Sequence, residues 1–147
     1  MLVILSGLAP YKPSVDNLAT EIGVSKNNVP DYLVYLERAG MIGLLRDDTS
    51  GMRNLGKVEK VYVDNPSLMS VLTSNPNIGN IRETFFYNQM REKQDVTSSR
   101  VSDFTIGDYT FEIGGRKKGK KQIEDVKDDI ETGHGIIIPL WYFGMNY

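Results

Sequence analysis

The sequence predicts an α+β fold. Three observations carry the prediction: two short amphipathic helices joined by a Gly-containing turn within residues 14–40, a Val-rich hairpin directly after them, and a second succession of helix then strands from residue 78 onward. A chain of 147 residues is enough for one ordinary domain or two small ones. At 40% hydrophobic and 24% charged residues, it can bury a core.

Residues 2–8 form an apolar helix that starts without a capping residue, so the chain is expected to be cut from something longer. In "SVDNLATEIGVSKNNVPDYLVYLERAGMI", Ser14 is an N-cap, and Leu18, Ala19 and Ile22 fall at helical spacing. Gly23 closes that helix. Ser25 caps the next, whose apolar stripe is Val29, Tyr32, Leu33 and Leu36, and Gly40 ends it. Pro30 removes a backbone donor and kinks this helix or delays its start to about Asn28. Residues 41–45 and 58–63 read as strands of a hairpin, and helix-turn-helix followed by hairpin is a winged-helix pattern. A short helix and a polar stretch then span residues 65–77. The domain boundary is expected there, giving residues 1–74 and 75–147.

The second half opens with a helix whose face is formed by Ile78, Ile81, Phe85, Phe86 and Met90, with Glu83 at the edge of that face. Strands are expected over residues 96–115, a charged helix over 119–131, and a β-rich apolar run at "GIIIPLWYFGMNY". No internal repeat is present.

Several function classes are excluded or constrained by composition. The absence of cysteine removes disulfides, thiolate zinc sites and thiol nucleophiles, and it permits a reducing compartment, so a cytoplasmic location is expected. No apolar run approaches the roughly 20 residues that span a bilayer, so no membrane partner is expected. With a net charge of −2, any DNA contact must be local or assisted by another part of the protein. Residues 51–57, "GMRNLGK", match most of a phosphate-binding loop. Val58 stands where a magnesium-holding Ser or Thr belongs, and a Val-rich strand follows instead of a helix, so the segment reads as a wing loop.

The stretch "SDFTIGDYTFEIGGRKKGKKQ" reads as a hairpin around a Gly107-Asp108 turn, with Gly first as a type II′ turn requires. The register then sets Ile106 opposite Tyr109, Thr105 opposite Thr110, Phe104 opposite Phe111 and Asp103 opposite Glu112. Directly opposed carboxylates destabilise a sheet. A divalent cation, a proton, or neighbouring bases such as Arg116, Lys117 and Lys118 relieve the repulsion. Magnesium held between Asp103 and Glu112 is possible, with Glu83 as a third oxygen ligand.

A helix Glu followed by a hairpin bearing Asp and Glu resembles the PD-(D/E)XK nuclease core, although Gly114 stands where the motif lysine belongs. The segments "ATEIGVSKNNVPDYLVYLERAGMI", "KVEKVYVDNPSLM", "IGNIRETFFYNQ", "DYTFEIGG" and "IPLWYFG", in this order, resemble the C-terminal portion of a bacterial AAA-type ATPase family. The resemblance implies a winged helix and a restriction-endonuclease-like α/β domain of uncharacterised function, with ATP used only by an upstream module absent from this chain. It implies a degenerate core at Glu83, Asp103 and Glu112, with no catalysis by this chain itself and no cofactor beyond a possible magnesium ion. It also implies a further strand between Ile123 and the "DDIE" segment.

As a DNA-contacting surface, Lys26, Asn27 and Asn28 at the start of the second helix are candidates, with Arg53 and Lys57 of the wing. Arg46 and Lys60 add to the wing's basic bias, and Arg116, Lys117 and Lys118 form a basic loop. The expected function is a non-catalytic DNA-binding or regulatory region of an AAA-type ATPase. The alternatives are a magnesium-dependent nuclease using Glu83, Asp103 and Glu112, and a small winged-helix transcriptional regulator.

Overall fold

The computed structural model describes residues 1–47, 58–113, 129–132 and 140–145; the backbone alone is described for 129–132 and for residues 141 and 145. The fold is α+β. The first helix, α1, spans Leu2–Leu8. In α2 (Val15–Ile22) the Ser14 hydroxyl accepts from the Asn17 N–H, and Gly23 ends the helix at φ 70°, a conformation that favours glycine. A 3-10 turn, Lys26–Asn28, begins at Ser25, whose hydroxyl accepts from the Asn27 N–H. It leads into α3 (Val29–Arg38), where Pro30 falls in the first turn. A missing N–H there interrupts no helical bond, which is why the helix starts at the point the proline allows.

The strands β1 (Ile42–Arg46) and β2 (Val58–Val63) pair antiparallel, with Ile42 opposite Val63 and Leu45 opposite Lys60. The Arg46 guanidinium donates to both Glu37 oxygens at 3.0 and 2.8 Å, tying α3 to β1. Leu5, Leu18, Val29, Leu33, Ile42 and Val61 make the core beneath these elements. Asn65 caps α4 (Pro66–Leu72), and Asn77 caps α5 (Ile78–Arg91) by accepting from the Gly79 and Asn80 N–H groups.

Beyond α5 lie β3 (Val96–Ser98), β4 (Phe104–Ile106) and β5 (Tyr109–Ile113), an antiparallel meander, and β6 (Asp129–Thr132), parallel to β5. The β4–β5 register is the expected one, Phe104 to Phe111, Thr105 to Thr110 and Ile106 to Tyr109, around Gly107 at φ 57°. All six strands join in one mixed sheet of order β2-β1-β3-β4-β5-β6. The sheet is thus continuous across residues 74 and 75, although β1 and β3 share a single parallel pair, Arg46 with Thr97.

Side chains carry more of that junction than the backbone does. Leu45 and Tyr62, from the first hairpin, share a core with Phe86, Tyr87, Phe104, Phe111 and Phe143. Tyr62 stacks on Tyr87 with centroids 4.4 Å apart. Burying each large apolar side chain contributes about 1.5–3 kcal/mol.

Three sequence expectations are corrected. Ile78 is 62% exposed, and the buried residues of α5 are Glu83, Thr84, Phe86 and Tyr87, because the helix turns a partly polar face to β2 and β4. Residues 129–131, expected as the end of the charged helix over 119–131, lie in the strand Asp129–Thr132, since β5 offers an edge for it to pair with. In the apolar C-terminal run, Leu140–Met145 is a 3-10 turn, and Phe143 packs edge-on against Phe86 at 4.9 Å. The segment 123–126, where a further strand is expected, and residues 51–57, expected as a wing loop, lie outside the described residues.

Candidate functional site

The alternation of β2 puts Lys60 and Tyr62 on one face, and both meet Glu83 in the middle of α5. The Lys60 ammonium donates to Glu83 Oε1 at 2.7 Å, and the Tyr62 hydroxyl donates to the same oxygen at 2.6 Å. Lys60 Nζ also lies 3.5 Å from Asp103 Oδ1. Asp103 Oδ2 accepts from the Ile113 N–H at 2.9 Å. A lysine therefore sits between two carboxylates, one from a helix and one from the approach to β4.

The side chains of Glu83 and Asp103 are each 12% exposed, and that of Lys60 is 34% exposed. Burial pulls the Lys60 pKa down, but the hydrogen bond and charge of Glu83, with the charge of Asp103, outweigh it and hold the ammonium above its ordinary value. Tyr62 is pushed far up by burial and then by the Glu83 charge, so it stays protonated and remains a donor. Among the described residues, two carboxylates, one ammonium, one phenol and one backbone N–H form this network.

The structure brings Glu83 and Asp103 together, as the sequence anticipates, through an agent the sequence reading assigned elsewhere. The sequence groups Lys60 with the basic bias of an expected wing; the structure holds it against Glu83 of α5 and Asp103 instead. The signal lies in "VEKVYV": alternation sets Lys60 and Tyr62 on the face opposite Val61 and Val63, and once that face is covered both need polar partners. Asp103 and Glu112 are not joined by a ladder pair. Asp103 lies before β4, and its N–H goes to the carbonyl of Phe111, the residue already opposite Phe104. Glu112 lies in register with Glu131 of β6. Among the described residues, no three His, Cys, Asp or Glu side chains gather as a metal-holding group.

The candidate DNA-contacting residues Lys26, Asn27 and Asn28 are exposed at the start of α3, with Lys26 3.8 Å from Asp16. Arg53 and Lys57, expected in a wing, and Arg116, Lys117 and Lys118, expected in a basic loop, lie outside the described residues. No helix among the described residues is long and apolar enough to cross a membrane. No protein-family model, curated protein or solved structure matches this chain.

Proposed function

We propose that this chain is a non-catalytic regulatory region: a winged-helix unit, residues 1–74, joined to a nuclease-like unit, residues 75–147, serving an AAA-type ATPase module. One observation carries the reading. The Lys60 ammonium contacts both Glu83 and Asp103, two of the three carboxylates expected around a divalent cation. A permanent cation in that position removes the repulsion that would otherwise recruit magnesium.

The exposed face of α3 favours docking on a protein over reading a duplex. Asn28, Asp31, Tyr35 and Arg38 are exposed and follow helical spacing, and their charges cancel. Phosphate attraction depends on a local cationic excess, which that face does not have. An aromatic that is 61% exposed, Tyr35, suits a protein interface.

A second reading draws on the same contact. In a magnesium-dependent nuclease, Lys60 would supply from β2 the ammonium missing at Gly114, beside Glu83, Asp103 and Glu112. Thermal melting with magnesium and manganese separates the two. The regulatory reading expects no shift at millimolar metal. The nuclease reading expects saturable stabilisation, about 2.7 kcal/mol at 100-fold over Kd, which Glu83→Gln abolishes together with metal-dependent cleavage of DNA.

A further inference from the structure

Beside the single ladder pair joining β1 to β3 lies a polar cleft of about 670 Å3. Both halves of the chain build it, with Lys12, Glu59 and Lys60 from the first and Ser98, Arg100 and Thr105 among those from the second. Its volume falls within the roughly 300–1,000 Å3 of small-molecule sites. Every described residue of its wall is polar or charged, although their methylene and methyl groups contribute part of the exposed surface, so polar groups are what fix a ligand's orientation there.

The charges in this wall are largely matched already. Lys12 pairs with Glu59 at 2.9 Å, Lys60 is held by Glu83 and Asp103, and Asp47, the other acid of the wall, has a partner of its own. Arg100 is exposed and has no ion pair among the described residues. The hydroxyls of Ser98 and Thr105 are also without a hydrogen bond among the described residues. What the cleft leaves unmatched is one guanidinium with hydroxyl groups around it.

We propose that this cleft binds a small, hydroxyl-bearing molecule carrying a single negative charge, its oxyanion on Arg100 and its hydroxyls on Ser98, Thr105 and the Glu59 carboxylate. A guanidinium forks onto the two oxygens of a carboxylate or a phosphodiester. One negative charge neutralises Arg100; a second would face Glu59 and Asp103 without compensation. Because the wall comes from both halves, the ligand adds contacts at the seam where the backbone supplies one pair. The inference goes beyond the regulatory reading above and does not depend on it.

The test uses the full chain, thermal melting and titration calorimetry with four probes: 3′,5′-cyclic AMP as a phosphodiester, glucuronate as a carboxylate, glucose as a neutral control, and a short single-stranded oligonucleotide as a competitor class. One of the two anions is expected to raise the melting temperature saturably, and which one does so identifies the oxyanion. Glucose is expected to have no effect. Arg100→Gln is expected to melt with the parent in buffer and bind at least about tenfold more weakly, a loss of roughly 1.4 kcal/mol, with Arg100→Lys in between. The proposal is overturned by no shift with either anion, by an equal shift with glucose, by undiminished binding to Arg100→Gln, or by tighter binding of a short single-stranded oligonucleotide than of either anion.

Discussion

Lys60 on β2 and Glu83 on α5 meet with Nζ 2.7 Å from Oε1, and that oxygen also accepts the Tyr62 hydroxyl at 2.6 Å. The pair crosses the junction between the first hairpin and the second half of the chain. The same junction is bridged by the Arg91–Asp64 ion pair and by Asn80, whose amide donates to the Ala9 carbonyl at 3.1 Å. The network thus joins the two halves as well as placing a cation beside the two acids.

Replacing Lys60 with methionine leaves Glu83 and Asp103 facing each other with little water. Breaking a fully buried pair costs about 3–5 kcal/mol. Lys60 is about one-third exposed, so solvent screening lowers the expected loss to about 1–3 kcal/mol. Urea unfolding of Lys60→Met, Glu83→Gln and the double variant measures the coupling, expected at about 1 kcal/mol or more; simple additivity would show that the contact contributes nothing. Lys60→Met is also expected to gain stabilisation from magnesium that the parent lacks.

Tyr62→Phe tests the second donor to Glu83. The ring keeps its stacking on Tyr87, so the change isolates the hydroxyl. Losing this bond to a carboxylate is expected to cost about 1.5–3 kcal/mol. The denaturation midpoint should fall while the slope with denaturant stays constant, because the surface exposed on unfolding is unchanged.

Gly43, in β1, lies under α5. A Cβ there would come within 2.5 Å of Tyr87 Cε1 and Arg91 Nη1. Tyr87 is held in the aromatic core and Arg91 is tied to Asp64, so neither can withdraw freely. Gly43→Ala is expected to destabilise by about 1–3 kcal/mol, as overpacking does. A melting temperature at or above the parent's would contradict this account of the junction.

Alkali should weaken the fold. Lys60, Tyr62 and Tyr87 have pKa values raised in the folded state, and Tyr11 is pushed up to about 12 by burial and then by Glu21. Their unfolded values are about 10.4 for lysine and about 10 for tyrosine. The folded state therefore holds protons that the unfolded chain releases. The associated stability is intact below about pH 10 and is lost as pH rises through the folded values. Urea midpoints between pH 8 and pH 12 should be level at first and then fall, with a shallower fall for Tyr62→Phe.

Half of the candidate site was legible in advance. Glu83 was placed near an apolar helix face and Asp103 at the end of a hairpin whose register holds from Phe104 to Tyr109 and Phe111. Glu112 was set opposite Asp103 by continuing that register one step too far, because a pairing rule does not say where a strand stops. Lys60 escaped because a strand's alternation shows which residues share a face, not which distant element covers it.

By itself, the sequence determined the caps at Ser14 and Ser25, the delayed start of α3 at Pro30, the stop at Gly23, and the Gly107-Asp108 reversal. Each depends on chemistry within about four residues, where the backbone and its nearest side chains leave few alternatives. Only the tertiary structure decided that one sheet spans both halves, that residues 129–132 extend, and that Lys60 bridges Glu83 and Asp103. Those outcomes depend on which surfaces meet across 19 or more positions of chain, and a buried charge takes its partner from whatever the packing brings within reach.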